Sequence, residues 1–182
     1  MERQENLERL MALYQEGDLG AATALIHSMS PKFYRFFAAH AVSRIDADDL
    51  LQETWFRIHK VRHTYRPGEP AIAWFFAIAR HVRVDHYRKA MRTTLREREL
   101  DGKSDTADLA VTGRRDELEA LLAPLSSGER EVVEMLKVEG LSLEEVARAT
   151  SSTVGSVKQK AHRAYKKLRE AFRVSKKTEA PH

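Results

Sequence analysis

Apolar residues recur every three or four positions along most of this chain and seldom alternate with polar ones. That spacing belongs to helices with one buried face. Leu7, Leu10, Met11 and Tyr14 mark the first such face, and Gly17 marks its end. DLGAATALIHSM continues helically, and Pro31 behind Ser30 reads as a first-turn proline behind an N-cap. Phe33, Phe36, Phe37 and Ala41 then hold core spacing. Asp46 is expected to cap the next helix, whose inner face is Leu50, Leu51, Thr54, Trp55, Ile58 and Val61. RHTYRPGEP interrupts the pattern. Pro70 opens another helix, AIAWFFAIARHVRVDHYRK, apolar nearly all round at its start and basic at its end. It should begin in a core and finish at a surface.

The pattern weakens after Lys89. TTLRERELDGKSDTADLAVTG has no aromatic residue, and Asp101-Gly102 and Ser104-Asp105 are turn signals. Helical spacing returns in RRDELEALLAPL, which Pro124 stops. Ser126 or Ser127 caps GEREVVEMLKVEG, and Gly140 ends it as a left-handed residue. Ser142 and Glu145 have capping-box spacing, and Thr153 caps the last helix. The expected fold is all-α. Two small helical domains, residues 1–91 and 114–174, are joined by a flexible linker at 92–113 and followed by a polar tail at 175–182.

The length of 182 residues suits two small domains. The chain has no cysteine, which removes disulfides and thiolate metal sites and suits a cytoplasmic protein. No apolar run approaches the roughly 20 residues of a membrane span, and MERQENLERL is too polar for a secretory signal. His59 and His63 are four apart, and His81, Asp85 and His86 cluster. Without an HExxH string or a distant third ligand, neither group reads as a metal site, and no cofactor is expected.

Net charge is only +4, but it is unevenly spread. Lys158, Lys160, Arg163, Lys166, Lys167, Arg169, Arg173, Lys176 and Lys177 stand against a single acid, Glu170. Such clustering points to a polyanionic partner more strongly than the net charge does. Val157, Ala161, Ala164 or Tyr165, Leu168 and Phe172 form the apolar stripe of this helix. A short capped helix, a tight turn and a second helix that is small, polar and basic at its start make a helix-turn-helix. The second helix of that motif enters the DNA major groove, reading base edges and gripping phosphates. The candidate DNA-contacting residues are Thr153, Ser156, Lys158, Gln159, Lys160, His162, Arg163, Lys166 and Lys167. A solvated basic face on an ordinary helical hairpin is the competing reading.

LSSGEREVVEMLKVEGLSLEEVARATSSTVGSVKQKAHRAYKKLRE resembles region 4 of the sigma-70 family, and more narrowly that of the small extracytoplasmic-function (ECF) sigma factors. The matching residues are Leu125, Arg130, Gly140, Ser142, Glu144, Glu145, Val146, Ala147, Val154, Gly155, Val157, Lys158, His162, Arg163, Ala164 and Leu168. The resemblance implies that the basic helix binds a −35 promoter element. The turn departs from the family, which has glycine and then an aliphatic residue where this chain has Ser151 and Ser152. A non-glycine residue in a left-handed turn costs on the order of 1 kcal/mol. The departure predicts either a reshaped turn or a domain of reduced stability.

DADDLLQETWFRIHK begins an independent match. As physics it is an amphipathic helix with acids at its N-terminus, where the helix dipole favours them. It is also similar to region 2.2 of the family, the surface that docks on the β′ clamp helices of RNA polymerase, through Asp46, Asp48, Asp49, Leu50, Gln52, Glu53, Thr54 and Arg57. RPGEPAIAWFFAIARHVRVDHYRK resembles regions 2.3 and 2.4 through Pro67, Gly68, Ala73, Trp74, Ile78, Ala79, Arg80, Asp85 and Arg88. In the family this helix and the preceding loop open the −10 element and hold the unpaired strand. Captured bases need stacking surfaces and cations along the backbone. Arg62, His63, Tyr65 and Arg66 offer such groups around the loop, and Arg80, Arg83, Arg88 and Lys89 offer cations on the helix. His81 stands where the family often has asparagine, next to the matched Arg80, and Asp85 completes the −10 set. Trp74, Phe75 and Phe76 read as core rather than as base-stacking groups.

The resemblance spans roughly 17–90 and 117–172. It implies an ECF sigma factor, not an enzyme, that binds bacterial core RNA polymerase through the β′ clamp helices and the β flap. It also implies promoter-specific initiation through −10 and −35 recognition, and an anti-sigma factor as a further partner. The alternative is a stand-alone dimeric helix-turn-helix regulator, which leaves DADDLLQETW without a role.

Overall fold

The computed structural model describes residues 2–38, 44–101 and 122–178. The chain divides into two compact units, one of residues 1–107 with the short segment 148–151 and one of the remaining residues. The first is built from α1 (Glu2–Gln15), α2 (Leu19–Ala38), α3 (Arg44–Val61), a 3-10 turn (Arg62–Thr64) and α4 (Ala71–Asp101). The second contains α5 (Ser127–Lys137), most of α6 (Leu143–Ala149) and α7 (Val154–Thr178).

The link from α1 to α2 is set by local chemistry. Gly17 takes φ 96°. Its N–H donates to Tyr14 O, and the Asp18 N–H reaches Leu13 O, which closes a Schellman ending. Asp18 Oδ1 then accepts from Ala21 N at 2.9 Å and caps α2. Leu7, Met11 and Tyr14 of α1 are buried against the rest of the unit, as their spacing predicts.

Pro31 does not start a helix. Helix α2 runs unbroken through it. Ser30, the expected cap, uses its Oγ to accept the Trp55 indole N–H at 2.9 Å. An internal proline costs about 3 kcal/mol. The same helix buries Leu25 and Met29 before it and Phe33, Phe36 and Phe37 after it. Each large apolar side chain contributes about 1.5–3 kcal/mol when buried, so one continuous stripe outweighs the break. Phe33 is the hub of an aromatic core, with ring centroids 5.6 Å from Trp55, 6.3 Å from Phe75 and 5.7 Å from Phe76. Phe75 and Phe76 are core, as expected. Ala41 lies outside the described residues.

Asp46 does not cap α3, because the helix already begins at Arg44. Ala47, Leu50, Thr54 and Ile58 are buried on its inner face. Thr54 settles its hydroxyl by donating to Leu50 O at 2.7 Å, which lets a polar group sit in the core. Helix α4 begins directly after Pro70 and buries Ala71, Ala73, Phe75, Phe76, Ala79 and Val82, while Asp85 to Arg92 are exposed. It continues to Asp101, so residues 92–101, expected in the linker, are helical. The remainder of that linker and residues 114–121 of the helix expected over RRDELEALLAPL lie outside the described residues.

In the second unit Ser126, rather than Ser127, caps α5, and Glu129 returns the bond to complete a capping box. Gly140 is left-handed at φ 71°. Ser142 and Glu145 form the expected box at the start of α6, at 2.6 and 3.2 Å. Val132, Met135, Leu141, Val146, Val157, Ala161 and Ala164 make the core. Phe172, assigned to the stripe of α7, is instead exposed.

Candidate promoter and polymerase interfaces

The turn between α6 and α7 keeps a left-handed residue without glycine. Ser151 sits at φ 51°. The Ser151 N–H donates to Arg148 O at 3.2 Å, and the Ser152 N–H donates to Ala147 O at 2.9 Å. These are the two bonds of a Schellman motif, so the turn is strained rather than reshaped. Thr153 Oγ1 accepts from Ser156 N at 3.1 Å and caps α7, which commits this hydroxyl to the helix as well as to the surface.

From that turn α7 presents two different basic faces. Lys158, Gln159, His162 and Arg163 line a shallow exposed depression of ≈ 300 Å³, and Lys166 continues the same face. Lys160 and Lys167 point elsewhere. Lys167 Nζ binds Glu129 Oε2 at 2.7 Å, and Lys160 lies beside Gly128. Lys167 and the Ser126 N–H hold the buried Glu129 carboxyl below its usual range. The sequence places all these cations in one group; the fold assigns Lys167 to holding α5 against α7.

On α3, Asp48, Asp49, Gln52 and Glu53 are exposed, whereas Leu50 is buried and supports the surface from below. Asp49, Gln52, Glu53, Phe56 and Arg57 line an open cleft of ≈ 730 Å³, shared with Val82, Asp85, His86 and Lys89 of α4. Arg57 donates to Glu53 and to Asp85, both at 2.7 Å. Its hydrogen bond to Asp85 holds that carboxyl below its ordinary range. Two residues assigned to different surfaces are therefore partners. Phe56 was missed. It is 64% exposed, and its only signal in the sequence is a large aromatic off the apolar stripe. For Asp46 the structure describes the backbone alone.

The loop before α4 is tightly organised. Arg66 to Glu69 form a turn closed by Glu69 N to Arg66 O, with Pro67 and then Gly68 at φ 87°. That order of residues and angle is a type II turn. Tyr65 is only 3% exposed; its ring packs on Trp74 at 5.7 Å and its hydroxyl donates to Glu69 O at 2.6 Å. It holds the loop from within and offers no outward face for a base. His63, Arg66, His81, Arg88 and Lys89 are exposed, and Arg62, Arg80 and Arg83 are half-buried. Arg83 lies over the Phe36 ring at 4.8 Å. Beside Arg88 the sequence reading passed over Tyr87, which is 65% exposed.

These surfaces match known proteins in the same order. The model of Sigma-70 region 2 matches residues 25–93, and that of Sigma-70, region 4 matches residues 115–168. The RNA polymerase sigma factor CarQ of Myxococcus xanthus is 31% identical over 163 residues, covering 88% of this chain and 94% of that protein. The chain belongs to the sigma-70 family. The ECF RNA polymerase sigma factor SigF of Caulobacter vibrioides is 35% identical over 130 residues, covering 70% of this sigma factor and 72% of its own length. Its counterpart SigX of Bacillus subtilis is 31% identical over 148 residues, 75% of each chain. The chain is thus an alternative sigma factor of the ECF type. Two solved structures share the fold. CnrH, solved with the cytosolic domain of CnrY, superposes with TM-score 0.73 at 21% identity over 93% of this chain and 98% of its own. RpoE of Bartonella quintana, solved with the anti-sigma factor NepR, gives 0.64 at 23% identity over 84% and 96%. Among the described residues no helix of this sigma factor is long and apolar enough to cross a membrane.

Proposed function

We propose that this sigma factor docks on the β′ clamp helices of core RNA polymerase through Asp48, Asp49, Gln52 and Glu53. In this reading its second unit bridges the β flap and the −35 element. Lys158, Gln159, His162, Arg163 and Lys166 enter the −35 major groove, and Ser156 and Thr153 approach it at the helix start. The loop with His63 and Arg66, and the α4 surface with Arg80, His81, Arg88 and Lys89, open and hold the −10 strand. The observation that carries the assignment is the outward cationic face of α7, left free of the α5 contact that occupies Lys167. Cations there neutralise phosphates while Gln159 and His162 reach base edges. Residues 1–91 form the region 2 domain and 114–174 the region 4 domain. Sigma factors are non-enzymatic initiation factors, and we assign this one to the cytoplasm, where its polymerase works. An anti-sigma factor is a further expected partner.

The test is transcription in vitro by core polymerase, with and without the chain, on random upstream DNA. Initiation that depends on the chain, at sites sharing spaced −35 and −10 motifs, supports the reading. No initiation together with no core binding overturns it and returns the case to a stand-alone dimeric regulator.

A further inference from the structure

Helix α1 lies N-terminal to the part of the chain that matches region 2, and nothing above gives it a role beyond packing. Its last turn nevertheless reaches the loop read as the −10 capture loop. The Gln15 side-chain amide donates to Arg62 O at 2.7 Å and to Tyr65 O at 2.9 Å. One NH₂ group thus uses both its hydrogens on the two carbonyls that bracket the 3-10 turn. Tyr14 adds a second tie, with its hydroxyl 2.8 Å from His59 Nδ1 and the Arg62 guanidinium 5.7 Å above its ring.

We infer that Gln15 is a positioning residue for −10 recognition, setting the loop backbone so that His63 and Arg66 meet the unpaired strand in register. The inference rests on the loop reading proposed above. Loops that select a ligand must be held to within about 0.5 Å by the elements beneath them. Here the upstream half of the loop has no strand or helix of its own beyond one 3-10 turn. Its downstream half is held by the Arg66–Glu69 turn and by Tyr65. The upstream half closes on itself through the Tyr65 N–H to Arg62 O and the Thr64 hydroxyl to Val61 O, and Gln15 with Tyr14 ties it to α1. A carboxylate at the same place would set oxygen against two carbonyl oxygens, and a thioether of similar length would fill the space without donating.

The experiment uses full-length Gln15→Met and Gln15→Glu assembled with core polymerase. A labelled single strand carrying the −10 sequence found by the random-library selection is the probe, alongside the same strand with one −10 base replaced. The expected result is about tenfold weaker binding of the cognate strand by Gln15→Met, with the cognate-to-substituted ratio falling towards one. Gln15→Glu should be weaker still. Core affinity and −35 duplex binding should stay at wild-type levels. Unchanged strand affinity and discrimination would overturn the inference. So would parallel losses of strand, core and −35 binding, which mark a merely structural role. A wild-type holoenzyme that binds no −10 strand would overturn the loop reading and this inference with it.

Discussion

The left-handed serine in the helix-turn-helix has a consequence that can be measured. Ser151 holds φ 51° at the C′ position of α6. A residue with a Cβ costs about 1–2 kcal/mol in that region. Replacing it by glycine removes that strain but adds about 0.5–1 kcal/mol of backbone entropy lost on folding. Ser151 is exposed, so the substitution opens no cavity. The difference leaves Ser151→Gly more stable by about 0.5–1 kcal/mol, a factor of about two to five in local opening. Hydrogen exchange of the full chain reads this directly, since peptides from α6 and α7 are resolved separately from those of α1–α4. Ser151→Gly should slow exchange there by that factor and leave α1–α4 unchanged. Ser151→Val is the opposite perturbation, because β-branched residues are nearly excluded from the left-handed region, and it should speed exchange. If Ser151→Gly left exchange in α6 and α7 unchanged or faster, the turn would carry no strain in solution and the reasoning would fail.

Other expectations follow from the same geometry. Asp49→Ala with Gln52→Ala should weaken core polymerase binding while the circular dichroism spectrum stays that of the wild type; undiminished binding would remove α3 from the polymerase interface. Lys158→Ala and Arg163→Ala should each lower the slope of log affinity against log salt for −35 duplex by about 0.9 if each cation meets one phosphate, whereas Lys167→Ala should leave that slope alone and destabilise the second unit. The Glu129 carboxyl is depressed in the folded state by Lys167 and Ser126 N–H. Its contribution is therefore full above the ordinary glutamate value and is lost as pH falls through the folded one. Acid titration of exchange in α5 should show a steeper loss below about pH 4.5 for wild type than for Glu129→Gln. Phe33→Ala, which removes the ring that packs on Trp55, Phe75 and Phe76, should cost the first unit about 3–5 kcal/mol in urea denaturation.

Much of this was legible in local chemistry. The Ser142 capping box, a serine cap at 126 or 127, the Thr153 cap, the helix end at Gly17 and the left-handed Gly140 each involve groups a few residues apart, so their spacing in the sequence is their geometry. The helical stripes were legible for the same reason, and with them the exposed faces of α3 and α7. Pro31 and Asp46 were misread because a cap is a local signal, and tertiary burial of one long stripe overrode it at Pro31. Phe172 misled in the other direction, since periodicity marks a face of the helix but not which of its residues the packing covers.

The sequence alone determined the class of the molecule. Its helical period, its break into two units, its concentrated basic charge and the order of its two family signatures all follow from residues close together along the chain. Tertiary structure alone decided how residues of like chemistry divide their work. Lys167 faces Glu129 while Lys166 faces out, Tyr65 turns inward beneath a loop whose His63 and Arg66 stay exposed, and Gln15 meets carbonyls some fifty residues away. Charge and aromaticity are properties of a residue. Which partner satisfies them depends on which distant segment the packed core brings within about 3 Å, and no local pattern carries that information.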